Sequence, residues 1–257
     1  MGKIVAVASQ KGGVGKTTTA INLGTSFAIL EKRTLLIDLD PQGSIAASFL
    51  LNETEVDGGM YQVFSENIPL SDVLIDIGLE DLHIVPSNVD GEKEEMEFLR
   101  YAMNYDLLRQ VLNPYKDLYD YILLDCPPSL GSITVNAITA ADSVLVPVQC
   151  EYYSVRALGK FIRSIKQISR DHNPQLTFMG FLITMLDKRV RKSQEIEQKL
   201  RLALKDIVLD TAIPRNSSLA EAPSLGKPAA LFDITSAGAI GYLQLAEEIV
   251  TSNSNHV

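Results

Sequence analysis

Residues 10–19 read Gln-Lys-Gly-Gly-Val-Gly-Lys-Thr-Thr-Thr and follow an apolar run directly. Gly12, Gly13 and Gly15 let consecutive backbone N–H groups turn into one concavity. Such a nest, placed at a helix N-terminus, binds phosphate anions. Gly15-Lys16-Thr17 fits the end of the pattern G-x-x-x-x-G-K-[ST], while Gln10 stands where the pattern begins with glycine. In that arrangement Lys16 reaches the β- and γ-phosphates of a nucleotide, and the Thr17 hydroxyl faces Mg2+. Thr18 is placed to hydrogen-bond the α-phosphate. The plainer reading is a glycine-rich turn between a strand and a helix. The strand before it, the helix after it and lysines on both flanks favour phosphate binding.

Two further segments put acids where such a loop needs them. Leu36-Ile37-Asp38-Leu39-Asp40-Pro41-Gln42-Gly43 closes an apolar run with two carboxylates two residues apart, on one side of the chain. Beside a bound nucleotide and metal, one could hold metal-bound water and the other could position the attacking water. Taken alone, the pair is equally a solvated strand-to-loop turn. Tyr121-Ile122-Leu123-Leu124-Asp125 is apolar up to its last residue and is followed by Cys126-Pro127-Pro128-Ser129. The prolines end the strand. Asp125 would hold Mg2+ through water, because that ion keeps several waters of its own. Cys126 and Cys150 form no C-x-x-C and are expected to be reduced, with Cys126 structural.

These residues need a scaffold that gathers strand ends. Strand-length apolar runs recur at 4–8, 34–38, 82–86, 121–125, 143–147, 178–183 and 207–211, separated by helix-like segments. Several are apolar throughout, as parallel strands covered on both faces are. The pattern predicts an α/β fold with a doubly wound, mostly parallel sheet, in a single domain over residues 1–257. Ligands in such sheets sit beyond the carboxyl ends of the strands. The 257 residues and 46% hydrophobic content are enough for a core of that size. Residues 52–76 have mixed polarity and read as a mobile surface region. Residues 91–110 read as helical, with a solvated charged start at Glu92-Lys93-Glu94-Glu95, and residues 251–257 as a frayed tail.

The net charge of −9 repels nucleic acid and anionic lipid, so binding to either requires a local basic patch. The N-terminal apolar run lacks a signal-peptide cleavage site, and no stretch reaches the ~20 apolar residues of a membrane span. A cytoplasmic protein is expected.

The run Lys11-Gly12-Gly13-Val14-Gly15-Lys16-Thr17-Thr18 resembles the deviant Walker A signature of the ParA/MinD class of P-loop ATPases. Asp38-Leu39-Asp40-Pro41-Gln42 is similar to a second motif of that class. The chromosomal ParA/Soj branch fits best, on Asp125-Cys126-Pro127-Pro128-Ser129-Leu130-Gly131, Val146-Pro147-Val148-Gln149-Cys150-Glu151-Tyr152-Tyr153, Ile213-Pro214-Arg215-Asn216, Glu221-Ala222-Pro223-Ser224 and Gly226-Lys227-Pro228. The resemblance covers nearly the whole chain. It implies Mg2+-dependent hydrolysis of ATP, with Lys11, Gly12, Gly13, Val14, Gly15, Lys16, Thr17 and Thr18 around the phosphates. Lys11 would cross a nucleotide-sandwich homodimer to the partner's phosphates. A cation there stabilises a loose phosphoryl-transfer transition state, as an arginine finger does. The same resemblance puts Asp40 at the attacking water, Asp38 and Asp125 with Thr17 at the metal, and Pro214 and Asn216 at the adenine.

The function implied is ATP-dependent segregation of DNA by a nucleoid-associated protein that uses no membrane. Its ATP-bound dimer would bind non-specific DNA, and a centromere-binding partner of the ParB type would stimulate hydrolysis. DNA contacts are expected at Lys188, Arg189, Arg191 and Lys192, a cluster otherwise read as a solvated loop and helix start. Its affinity for DNA would fall steeply with salt. The family commonly carries an arginine two residues after the asparagine of Pro-Arg-Asn, and Ser218 stands there instead. Lys160, Arg163 and Lys166, three residues apart on a helix-like run, could extend the basic surface or simply form its solvated face.

Three alternatives remain at this stage. A MinD-like membrane-cycling ATPase needs a basic amphipathic C-terminal helix, whereas residues 240–250 carry Glu247 and Glu248. An ATPase of the same class could position a protein cargo. An ATP-dependent ligase or amidotransferase on this fold would need a substrate pocket and usually a further domain, and the chain has only three histidines for a glutaminase set.

Overall fold

The apolar runs form seven of the eight strands of one sheet. The computed structural model describes residues 2–51, 56–151 and 154–254. In chain order the first half contains β1 (Lys3–Val7), α1 (Lys16–Ile29), β2 (Thr34–Asp38), α2 (Ser44–Ser48), α3 (Met60–Glu66), β3 (Ile75–Asp76), β4 (Leu82–Val85), α4 (Gly91–Tyr101) and α5 (Leu107–Leu112). The second half contains β5 (Tyr121–Asp125), α6 (Ser132–Ala140), β6 (Ser143–Gln149), α7 (Ser154–His172), β7 (Thr177–Leu186), α8 (Arg191–Leu204), β8 (Val208–Pro214), α9 (Ser218–Glu221), α10 (Ala229–Phe232) and α11 (Ala237–Ser254). The strands lie in the order β3-β4-β2-β5-β1-β6-β7-β8. All pairings are parallel except β3 with β4.

Side chains alternate across a strand, so an apolar run feeds two cores at once. Ile4, Ala6, Leu35, Ile37, Ile122, Leu124, Val144 and Val146 meet α3 to α8 on one face. Val5, Val7, Leu36, Leu123, Leu145 and Leu182 meet α1 and α11 on the other. On this second face Phe27 of α1 stacks on Tyr121 of β5 with ring centroids 3.9 Å apart. α11 docks through Tyr242, Leu245, Ala246 and Ile249, so its apolar side lies inside the protein. Its Glu248 accepts hydrogen bonds from the backbone amides of Asp210 (2.7 Å) and Thr211 (2.9 Å) on the edge strand β8. Arg201 of α8 donates to the carbonyls of Leu209 (3.0 Å) and Asp210 (3.2 Å) on the same strand.

Three sequence expectations change. The described part of 52–76 is ordered packing rather than a mobile region: α3 buries Met60, Val63 and Phe64, and Leu70 and Val73 follow in a short 3-10 turn. Residues 52–55 lie outside the described residues, as do Tyr152 and Tyr153. Residues 91–110 form two helices instead of one, because the buried Asn136 of α6 intervenes. Its amide donates to the carbonyls of Ala102 (3.0 Å) and Asn104 (2.8 Å), and its oxygen accepts from the Leu108 amide (3.0 Å). The C-terminal helix continues through Ser254, past the expected start of a frayed tail.

Phe27 is fully buried and stacked, so Phe27→Ala removes a ring from the joint between α1 and the sheet. Such a deletion costs about 3–5 kcal/mol. Urea unfolding followed by circular dichroism should show a loss in that range, and a loss below about 1 kcal/mol would contradict this packing.

Candidate functional site

β1 is flanked by β5 and β6, and the glycine loop leaves its carboxyl end. Gly13 and Gly15 have φ of +70° and +87°, the left-handed region that favours glycine. No atom within 4 Å would meet a Cβ at Gly13, so glycine is required there by conformation and not by space. The Thr184 hydroxyl of β7 donates to the Val14 carbonyl at 2.8 Å and fixes the middle of the loop. The loop then runs into α1, whose first residues are Lys16, Thr17 and Thr18. The orphan amides of that first turn and the helix dipole favour an anion.

Lys16 is 7% exposed and makes no ion pair among the described residues. A buried ammonium without a carboxylate partner is costly unless an anion comes to it. Lys11, at the other end of the loop, is arranged differently. Its ammonium lies 2.5 Å from Glu151 Oε2 and 3.3 Å from Gln149 Oε1, at the carboxyl end of β6.

Asp38 and Asp125 are direct neighbours in the β2–β5 register, and Asp125 is also level with Val7 of β1. Alternation puts both carboxylates on the face that α1 covers, together with Leu36 and Leu123. Asp38 accepts from the amides of Asp40 (3.0 Å) and Ile45 (2.9 Å), which shapes the loop after β2. Asp40 in turn accepts from the Gln42 amide at 3.1 Å. Burial and the neighbouring Asp125 raise the Asp38 carboxyl well above the usual carboxylate range.

Asp125 is fully buried, and neither of its oxygens has a hydrogen-bond partner. Burial pushes it up to about 7, with the Thr17 hydroxyl and the Lys16 charge pulling the other way. An orphaned buried carboxylate beside a threonine hydroxyl, at the foot of an anion nest, fits Mg2+. Among the described residues no three His, Cys, Asp or Glu side chains form a metal-binding group. Such an ion would therefore draw most of its ligands from phosphate and water.

A cavity of about 290 Å3 opens beside the loop, lined by Thr18, Met185, Ile213, Pro214, Asn216 and Leu219 among others. Pro214 and Asn216 line it together with Gly15 and Thr18 of the loop and the start of α1. The Asn216 side-chain oxygen is buried and unpartnered, which suits an incoming N–H donor. Met185 was not singled out from the sequence. It has φ of +52°, rare for a residue with a Cβ, and its sulfur accepts from Gln149 Nε2 at 3.3 Å. Cys126 is buried and its thiol is pushed up by burial, as a structural cysteine should be.

Lys188, Arg189, Arg191 and Lys192 occupy the loop after β7 and the start of α8, well exposed to solvent. Part of their charge is matched locally. Arg189 makes a two-pronged pair with Asp187, at 3.0 and 2.9 Å, which holds that carboxyl down at about 2. Arg191 lies 3.3 Å and Lys192 3.8 Å from Glu195. The charge of Arg215 also acts on Asp187, so this exposed arginine joins the cluster although it is distant in sequence. Ser218 is 9% exposed, and the surface there is supplied by its neighbours. Lys160, Arg163 and Lys166 line the exposed side of α7, opposite the buried Phe161 and Ile165.

With this geometry established, comparison with known proteins gives consistent results. Residues 2–178 match the family model described as an AAA domain. The sporulation initiation inhibitor protein Soj of Bacillus subtilis is 40% identical over 252 residues, spanning 98% of this chain and 100% of that protein. The chromosome partitioning protein ParA of Myxococcus xanthus is 41% identical over 250 residues, 97% of this chain and 88% of that one. Among solved structures, cobyrinic acid a,c-diamide synthase from Mycobacterium smegmatis, with bound ATP analog and magnesium, superposes with a TM-score of 0.82. It is 32% identical and covers 96% of this chain and 93% of its own.

The raised Asp125 carboxyl makes a pH prediction. The folded chain holds this proton more tightly than the unfolded chain, whose aspartates titrate near 3.8. Stability in the absence of metal therefore falls as pH rises from about 4 to about 7. With metal chelated, Asp125→Asn should melt higher than the parent chain at pH 8. The gap should stay constant above about 7 and close as pH falls toward 4. Thermal melts across pH test this, and a gap independent of pH would rule it out.

Proposed function

The chain belongs to the ParA/Soj family of partition ATPases, and from that premise we propose that it moves DNA by cycling between an ATP-bound dimer on DNA and a released form. It is an ATPase that takes ATP with Mg2+. The observation that carries the chemistry is the unpartnered, buried Asp125 facing Thr17 and Lys16 at the start of α1.

In this reading Lys16 and the amides of Gly12 to Thr18 hold the β- and γ-phosphates, and the unpaired ammonium is neutralised by its ligand. Thr17 and Asp125, with Asp38 behind, hold Mg2+. When bound, the ion neutralises charge developing on the transferring phosphoryl group. Asp40 sits on the loop that Asp38 organises and orients the attacking water. Pro214 and Asn216 receive the adenine, with the buried Asn216 oxygen accepting from its amino group. Lys11 supplies a second cation to the γ-phosphate of the partner subunit, so that hydrolysis depends on dimerisation.

The basic loop at 188–192, with Arg215, supplies the DNA face and is doubled in a dimer. A ParB-type protein is the partner that stimulates hydrolysis, and the place of action is the nucleoid within the cytoplasm. The likeness to a diamide synthase favours a second reading, an ATP-dependent ligase. Two relatives 41% identical over nearly the full chain are named chromosome partitioning proteins, and they support partition ahead of that reading. A membrane-cycling role is disfavoured by the burial of the apolar side of α11. No described helix is long and apolar enough to cross a membrane.

Two measurements check this. Lys16→Ala should lose nucleotide binding in calorimetry, and normal ATP affinity would refute the phosphate assignment. Asp40→Ala should stall as an ATP-bound dimer. Fluorescence anisotropy with a random DNA duplex should then show tight binding with ATP, little with ADP, and affinity falling steeply with salt. Equal binding with both nucleotides, or none with either, would refute the ATP-gated DNA step.

A further inference from the structure

We infer that Glu151 is a positioning residue for Lys11: it holds the Lys11 ammonium within its own subunit until a second copy docks. This rests on the reading that Lys11 acts across a dimer.

The two lysines of the loop are treated in opposite ways. Lys16 is buried and has no ion pair among the described residues, ready for an anion. Lys11 is half exposed and already neutralised, 2.5 Å from Glu151 Oε2. That carboxylate occupies one of the three ammonium donors and offsets its charge, so reaching a phosphate on another copy draws Lys11 away from a contact already made. Glu151 is fixed from below, since its amide donates to the Gln149 carbonyl at 2.8 Å at the end of β6. Gln149 adds a second contact to Lys11 at 3.3 Å, and its amide nitrogen donates to the Met185 sulfur. Met185 lines the cavity that also holds Pro214 and Asn216. The holding contacts therefore reach from Lys11 to the wall of the nucleotide cavity.

A small cavity of about 50 Å3 borders the loop, lined by Gln10, Lys11, Val14, Pro147, Leu158 and Phe161 among others, and the Lys11 side chain is half exposed. Lys11 can leave Glu151 without displacing packed core. Transfer of the ammonium to a partner's phosphate exchanges one anion for another, so the pair with Glu151 opposes dimerisation. Without that pair, the monomer loses its competing partner for Lys11 and the dimer forms more readily. Both side chains are about half exposed, so the opposition is modest and screened by salt.

The test measures the dimer dissociation constant by light scattering with Mg2+ and a non-hydrolysable ATP analogue at low salt. Glu151→Gln should tighten the dimer about two- to five-fold. Its KM for ATP should stay unchanged while basal kcat rises by a similar factor, a split that a merely structural residue would not produce. Glu151→Asp, which keeps the carboxylate, should remain near the parent. In a Lys11→Ala background Glu151→Gln should have no effect. A dimer unchanged or weakened by Glu151→Gln, with its melting temperature intact, overturns the proposal, as does an equal effect in the Lys11→Ala background. If Lys11→Ala alone dimerises and turns over like the parent, the failure belongs to the trans role of Lys11 instead. Should Glu151→Gln not fold, Gln149→Leu carries the same directional expectation.

Discussion

Two carboxylates in register on adjacent strands, both shut off from water, set the terms for the surrounding site. Asp38 and Asp125 lie side by side at the ends of β2 and β5, on the face covered by α1. Two negative charges in that position repel each other, and each loses its hydration. Asp38 recovers part of this from two backbone amides, and those bonds in turn dictate the path of residues 38–45. Asp125 has no backbone amide on it among the described residues, and only the Thr17 hydroxyl and the Lys16 charge favour its ionised form. The positive end of α1 and the Lys16 ammonium face the same point, so the local field is balanced only in part until cation and anion arrive together. A site of this kind prefers a metal–phosphate unit to either ion alone.

How much of this was readable in advance depends on the range of the interaction concerned. The strands were legible because parallel strands between two helical layers are apolar on both sides, and Tyr121–Asp125 and Thr34–Asp38 match their expected bounds. The glycine loop between β1 and α1 was legible because all its parts lie within ten residues, and its left-handed glycines and the helix after it follow from local chemistry. The break between α4 and α5 was not, because the cause is Asn136, an amide from a later helix. The pairing of Lys11 with Glu151 joins residues 140 positions apart, and neither residue signals the other. Arg215 and Met185 were missed for the same reason, since their place is set by the alignment of β7 with β8.

The acidic chain concentrates four cations within residues 188–192. Asp187 and Glu195 temper the cluster at 188–192, and such acids give an arginine a defined orientation while lowering the field it projects. A phosphate backbone meeting this surface would have to compete with those carboxylates for each guanidinium. Under the proposed function, that competition would make affinity depend on the number of contacts made together, which a doubled surface would supply.

The two borders of the sheet bear on how copies of this protein can meet. An unprotected edge strand offers its amides and carbonyls as a template for another chain. Here β8 has two amides occupied by Glu248 and two carbonyls by Arg201, both reaching in from helices. The opposite border is β3, two residues long and too short to template a ribbon. Growth of one sheet into the next is thus discouraged at both ends. At high local concentration, self-association through the sheet edges into open-ended fibrils is therefore disfavoured.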